Sequence, residues 1–253
     1  MPVRDRLLRL ELMTSEEVSV ALAHGSASVI VPCGAVEQHG PHLPLCMDAE
    51  HAEALAELVA TRLGRTLIAP TIRIGCSSHH LSFPGTISLQ VETFEAICQD
   101  YCASLVHHGF KRIILFSGHI GNFPALRDML PRLRQAMAGQ ARVDAFFDSE
   151  AWLHRWREAV ASAGGDPASV GGHADIAETS LMMKIRPGSV RMDRIEPGRI
   201  GMLTPDELAL MWKDGIASIS HNGIMGDPRG SSAVIGESCL AAVAELLIES
   251  FTP

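Results

Sequence analysis

Short, almost uninterrupted apolar runs recur along the chain at residues 27–31, 67–74, 113–116 and 143–147, and their Val, Ile and Phe content suits buried strands. Between them the pattern changes period. Residues 50–63 place Leu55, Leu58, Val59 and Leu63 on one helical face, and Phe94, Ile97, Tyr101 and Leu105 repeat such a stripe before Gly109 ends it. Stripes of Leu, Ala and Met over residues 208–212 and 240–247 are read as further core. Strands alternating with helices predict an α/β fold whose mainly parallel sheet is covered on both faces. No repeat, low-complexity tract or long Gly/Ser/Pro linker divides the chain, so residues 1–253 are expected to form one domain. In such sheets ligands bind beyond the carboxyl ends of the strands, so the loops after the apolar runs are where chemistry is sought.

Composition narrows the class of function. A formal net charge of −8 argues against a nucleic-acid partner, which needs basic surface to displace counterions. No apolar stretch of about 18 residues is present, which excludes a spanning helix, and the N-terminus lacks the pattern of a secretory peptide. The protein is therefore expected in the cytoplasm, away from membranes, acting on a small molecule. Cys33, Cys46, Cys76, Cys98, Cys102 and Cys239 form no CxxC pair and are read as reduced core residues.

The chemistry-bearing residues gather after the apolar runs. The segment Glu37-Gln38-His39-Gly40-Pro41-His42-Leu43-Pro44-Leu45-Cys46-Met47-Asp48 packs two carboxylates and two imidazoles into twelve residues stiffened by two prolines. In extended backbone Glu37 and His39 point to the same side. Asp48 can return to that point and bridge two cations through its two oxygens, or it can cap the helix that follows. After the third run, Ser117-Gly118-His119-Ile120-Gly121-Asn122 sets His119 between two glycines, with Asn122 also placed to be an N-cap. A third segment, Gly171-Gly172-His173-Ala174-Asp175-Ile176-Ala177-Glu178-Thr179-Ser180, reads as a helix start, with His173 at its beginning and Glu178 further on. Acidic residues there could equally offset the helix dipole.

Taken in order, these motifs resemble the creatininase (creatinine amidohydrolase) family across nearly the whole chain. The resemblance is carried by Glu37-Gln38-His39-Gly40 with His42-Leu43-Pro44 and Asp48, by Gly75-Cys76-Ser77 through His80 to Phe83-Pro84-Gly85-Thr86, and by Gly118-His119 with Gly121-Asn122. His173-Ala174, then Glu178-Thr179-Ser180, and Gly226-Asp227-Pro228 complete it. It implies a three-layer α/β sandwich, usually assembled as a homo-hexamer, with two divalent ions (Zn²⁺, Mn²⁺ or Fe²⁺) per subunit. Glu37, Asp48 and His119 would hold one ion, His39 and Asp48 the second, and His173 would act beside the substrate. Two departures matter. Where creatininase supplies a second-metal glutamate, this chain has Gly121, so Glu178 is expected to take its place, with Asp175 as competitor. Where creatininase has a lid tryptophan, this chain reads Ala168-Ser169-Val170, leaving Trp152 and Trp156 as a partial lid. His80, Trp152, Ser117 and Asn122 are the expected substrate-binding residues, although His80 could also be a packed structural histidine.

The expected reaction is hydrolysis of a carbon–nitrogen amide bond, in a cyclic amide, a formamide or a related small amide, by water activated between the two ions. An imidazole titrates near neutrality, so His173 suits protonation of the leaving nitrogen. Two alternatives remain: a peptidase-type relative that trims a modified peptide, and a metal-binding protein without catalysis. A carboxylate and imidazole set is the pattern of open, water-bearing sites rather than of closed structural ones. Neither GxGxxG nor GxxxxGK[ST] follows a strand, which sets a nucleotide-binding reading aside.

Overall fold

The computed structural model describes residues 8–201 and 203–252. Helix α1 (Ser15–Ala23) starts at a capping box between Thr14 and Glu17 and leads into β1 (Ser28–Cys33). α2 (Met47–Leu63), β2 (Thr66–Ile68), α3 (Val91–His107), β3 (Arg112–Ser117), α4 (Phe123–Ala136) and β4 (Arg142–Ala145) follow. The four strands pair in parallel in the order β2-β1-β3-β4, with Ile30 opposite both Ile68 and Ile114. The chain steps outward from β1 to β2 and then returns across β1 to β3, so right-handed crossovers place α2 on one face and α3 and α4 on the other. The place where the strand order reverses lies between β1 and β3, and this is the crevice such sheets use for ligands.

The rest of the chain completes the α2 layer. α5 (Ser149–Ser162) is capped by Asp148; β5 (Val170–His173) is antiparallel to β6 (Met225–Gly226). α6 (Ile176–Ile185), α7 (Pro205–Asp214) and α8 (Ala233–Phe251) are the remaining helices, and α8 packs on α2, α5 and α6. Most of the buried apolar side chains form one contiguous cluster, with Trp152, Trp156, Phe94 and Phe116 among its largest members. The six cysteines are unpaired, and four of them, Cys33, Cys98, Cys102 and Cys239, are fully buried. No helix among the described residues is long and apolar enough to cross a membrane.

Several elements differ from the pattern-based expectation, each for a local reason. β2 stops at Ile68 because Pro70, which lacks an N–H, interrupts the run; the chain rejoins the sheet only where Ile72 donates to Pro32 O. β4 ends at Ala145, and Phe147 has already left the ladder. The buried stripe of α2 runs through Met47, Ala52, Leu55, Ala56 and Val59, while Leu58 faces outward. Residues 208–212 are not core. α7 packs against the short turns Ser78–His80 and Ile216–Ser218, buries Met211, and leaves Leu208 and Trp212 43% and 48% exposed. His173 closes strand β5 instead of opening a helix, with the paired glycines inside the strand.

Candidate metal centre

Both strand exits deliver buried ligand-type side chains to one point. β1 runs into Glu37 and His39, β3 into His119, and the first turn of α2 presses Asp48 between them. Gly118 makes the approach possible, since a Cβ there would lie 2.4 Å from the Asp48 carbonyl oxygen. The two oxygens of Asp48 face different imidazoles: Oδ1 is 3.2 Å from His39 Nε2 and Oδ2 is 3.2 Å from His119 Nδ1. Glu37 Oε1 lies 3.3 Å from His119 Nδ1 and 3.6 Å from His173 Nδ1, and Glu178 Oε2 lies 3.5 Å from His39 Nε2. Three overlapping donor sets result, each with its ligand atoms within 4.8 Å of one another: Glu37, Asp48 and His119; His39, Asp48 and Glu178; Glu37, His39 and His173.

The far side of each imidazole decides what the near side offers. His39 Nδ1 donates to Glu37 O at 3.1 Å, His119 Nε2 to Cys76 O at 3.1 Å, and His173 Nε2 to Gln38 O at 2.8 Å. A carbonyl only accepts, so in a neutral ring the remaining nitrogen turns a lone pair towards the carboxylates. Lone pairs facing carboxylates need positive charge between them. Glu37 Oε1 and Oε2 and Asp48 Oδ2 are buried and make no hydrogen bond of good geometry among the described residues. The groups respond by recruiting protons. Burial would lower His39 and His119, yet Asp48 and Glu178 push His39 up to about 10, and Glu37 and Asp48 push His119 up to about 9. Burial raises Glu37 to about 7 and holds Glu178 well above the usual carboxylate range. Asp48 resists its own burial and is held well below that range by His39 and His119. Divalent cations seated among these atoms would supply the same charge and displace those protons, so the residues fit a metal centre.

The surroundings correct several expectations. Asp48 is not the N-cap of α2: Cys46 holds that position, and Asp48 lies inside the first turn. Asp175 is a cap, and both its oxygens are taken by backbone amides: Oδ1 by Ala177 and Glu178, Oδ2 by Gly171 and Gly172. Gly121 has no room for a side chain, since a Cβ there would meet His119 Nε2 at 2.3 Å. Trp152 and Trp156 form no lid. Both are fully buried against His51, with Trp152 also on Phe123 and Phe146.

Ser117 and Asn122 are occupied within the fold as well. Ser117 Oγ donates to His119 O and accepts from His119 N; Asn122 accepts from Cys76 N and donates to Gly34 O and Ser117 Oγ. Asn122 thus ties the exits of β1 and β3 to the loop beneath His119 and does not cap α4 with its side chain. Replacing it by alanine strands buried partners that each cost about 1–3 kcal/mol. Asn122→Ala is therefore expected to lower unfolding free energy by roughly 3 kcal/mol. A urea unfolding curve with a loss below about 1 kcal/mol would contradict this bracing role.

A small pocket of about 90 Å³ opens above the centre, bounded by Asp48, His79, His80, His119, His173 and Glu178 with Met211 and Trp212. His80 Nδ1 accepts from Gln38 Nε2 at 2.8 Å, which turns its Nε2–H towards Glu37 Oε1 at 3.5 Å. His79, Gln38, Met211 and Trp212 were not singled out in the sequence. His79 gave the one signal that could have been used, as the neighbour of His80; it lies between His119, on which it stacks at 5.9 Å, and Trp212, tilted against it at 4.7 Å.

The family model of creatininase, described as creatinine amidohydrolase, matches residues 11–251. The chain is 35% identical over 226 residues to the mycofactocin precursor peptide peptidase of Mycobacterium ulcerans (strain Agy99), covering 86% of this chain and 82% of that protein. It is 27% identical over 260 residues to the creatinine amidohydrolase of Pseudomonas putida, covering 95% and 96%. A solved structure, a manganese creatininase, superposes with a TM-score of 0.75 at 24% identity over 97% of this chain and 99% of that one, a likeness of fold.

Proposed function

Since the chain belongs to the creatininase family of amidohydrolases, we propose that it hydrolyses the carbon–nitrogen bond of an amide at a centre of two divalent cations. The observation that carries this reading is the placement of Asp48, whose two oxygens face His39 and His119 separately. Glu37, Asp48 and His119 would hold one ion, and His39, Asp48 and Glu178 the other. Imidazole and carboxylate together suit Zn²⁺, Mn²⁺ or Fe²⁺. When bound, such a pair lowers the pKa of a shared water from about 15.7 towards 7 and polarises the amide carbonyl.

The chain's own groups supply the proton traffic. Burial, reinforced by His39, holds His173 well below the usual imidazole range, so the ring is neutral near pH 7. Its Nε2–H is committed to Gln38 O, and Nδ1 is left as the atom that takes a proton from the attacking water and returns it to the leaving nitrogen. This refines the simple acid role: His173 begins as an acceptor. His80, fixed by Gln38, presents an N–H into the same pocket and can hold a substrate oxygen.

The test is elemental analysis of protein purified without chelators, joined to turnover on an amide panel. About two divalent ions per chain, loss of turnover on chelation, and recovery with Zn²⁺, Mn²⁺ or Fe²⁺ are expected. Thermal stability should fall with chelation too, because cations bound only by the folded state stabilise it. Protein that binds none of these ions and gains no activity from them refutes the proposal.

A further inference from the structure

The pocket above the centre is too small to hold much beyond the reacting group. At about 90 Å³ it is smaller than the roughly 150 Å³ apolar cavity that takes up a benzene ring. It does not end there. A groove of about 320 Å³ continues from it, and Ile120, Gly172, Met211, Trp212 and Met225 line both spaces. Gly172 stands at the junction with no side chain to narrow it. Beyond it the walls are Phe123, Phe147 and Leu153 on one side and Leu208 and Trp212 of α7 on the other. The polar residues of the lining are Ser149 and Arg127, and the Arg127 guanidinium is already paired with Asp128.

We infer that the substrate is an amide bearing a bulky aliphatic or aromatic arm, which lies in this groove while the scissile bond sits over His173 and Asp48. The inference rests on the hydrolase reading above and adds the substrate class. Continuity with the reacting pocket identifies the occupant. Leu208 and Trp212 explain themselves under it: they are large apolar side chains left 43% and 48% exposed because they close over the arm. Trp152 and Trp156, locked in the core, leave Trp212 as the aromatic wall.

The experiment compares matched amides with and without the arm on metal-loaded, full-length protein. N-formylphenylalanine is set against N-formylglycine and phenylalaninamide against glycinamide, so that the arm is offered on each side of the bond. Burying an aromatic side chain predicts a kcat/KM roughly tenfold to hundredfold higher for the armed member of at least one pair. Trp212 is the one tryptophan that faces the groove, and its fluorescence should shift with the armed member alone. Leu208→Ser, at an exposed position, should shrink the ratio within the favoured pair about threefold or more while leaving metal content and melting temperature close to wild type. Ser149→Phe, which fills the groove, should shrink it further.

Turnover with equal kcat/KM within both pairs and no Trp212 response overturns the arm and leaves the hydrolase reading standing. A Leu208→Ser protein that falls apart from an oligomer with its ratio unchanged also overturns the arm, and assigns the apolar face of α7 to a second copy of the chain. Absence of turnover on all four probes by protein shown to carry its metals overturns both readings.

Discussion

Asp48→Ala is expected to empty both cation positions and to reduce amide turnover by at least about three orders of magnitude, because the shift of the water pKa from about 15.7 towards 7 is lost with the ions. No other side chain of the centre is used in the same way. Oδ1 belongs with His39 and Glu178, Oδ2 with His119 and Glu37, so one truncation removes an oxygen from each set. His39→Ala touches only one set of the pair assigned to the two ions and should leave about one ion per chain, which makes it the control. Asp48→Asn is intermediate, since an amide offers one oxygen and two N–H groups where two oxygens are needed. Metal stoichiometry and a melting curve on each variant distinguish this from a helix-start role. A fall of about 1 kcal/mol with two ions retained is what the loss of a cap would give. Because Cys46 occupies the cap position, the expected outcome is the opposite: metal loss is the primary effect, and destabilisation follows from it.

Which parts of this arrangement could be read from the chain depends on how local their physics is. Glu37 and His39 lie two residues apart after an apolar run, and their convergence follows from the pleat alone. His119 follows β3 for the same reason, and adjacency of β1 and β3 is what a parallel α/β sheet provides. Asp48 was ambiguous because a helix start suits both a cap and a ligand; only the placement of the helix one residue after Cys46 separates them. Trp152, expected at the pocket, is core, and Trp212, expected in the core, is half exposed. Periodicity shows that a helix has an apolar face but not whether that face meets the sheet or the site, and α7, seated on turns, is the case where it meets the site. Gln38 was legible only as part of a motif, because its partners His80, His173 and Gly223 lie far from it along the chain. Pro70 was the readable signal that the second strand would be short.

The second large effect is expected from Glu178→Gln, set against Asp175→Asn on the same helix start. Both carboxylates are buried and three residues apart, so spacing and burial cannot separate them. Their partners do. Asp175 gives both oxygens to backbone amides of residues 171, 172, 177 and 178, and this holds the end of β5 against the start of α6. Glu178 accepts from Ala174 N at 2.5 Å and turns towards His39, completing a set with Asp48 that lacks any contribution from Gly121. Glu178→Gln keeps the shape and the bond to Ala174 N but removes the negative charge. It should reduce the ions held per chain from about two to about one and abolish turnover, with the fold intact. Asp175→Asn must present an NH₂ group to two of the four N–H donors. Hydrogen bonds to a charged group contribute about 1.5–3 kcal/mol each, so it should lose roughly 3 kcal/mol of stability while its folded fraction keeps both ions. Elemental analysis together with denaturant titration of the two variants reads both quantities at once. A Glu178→Gln protein with full metal content and normal turnover, or an Asp175→Asn protein that is stable but loses an ion, would exchange the two roles.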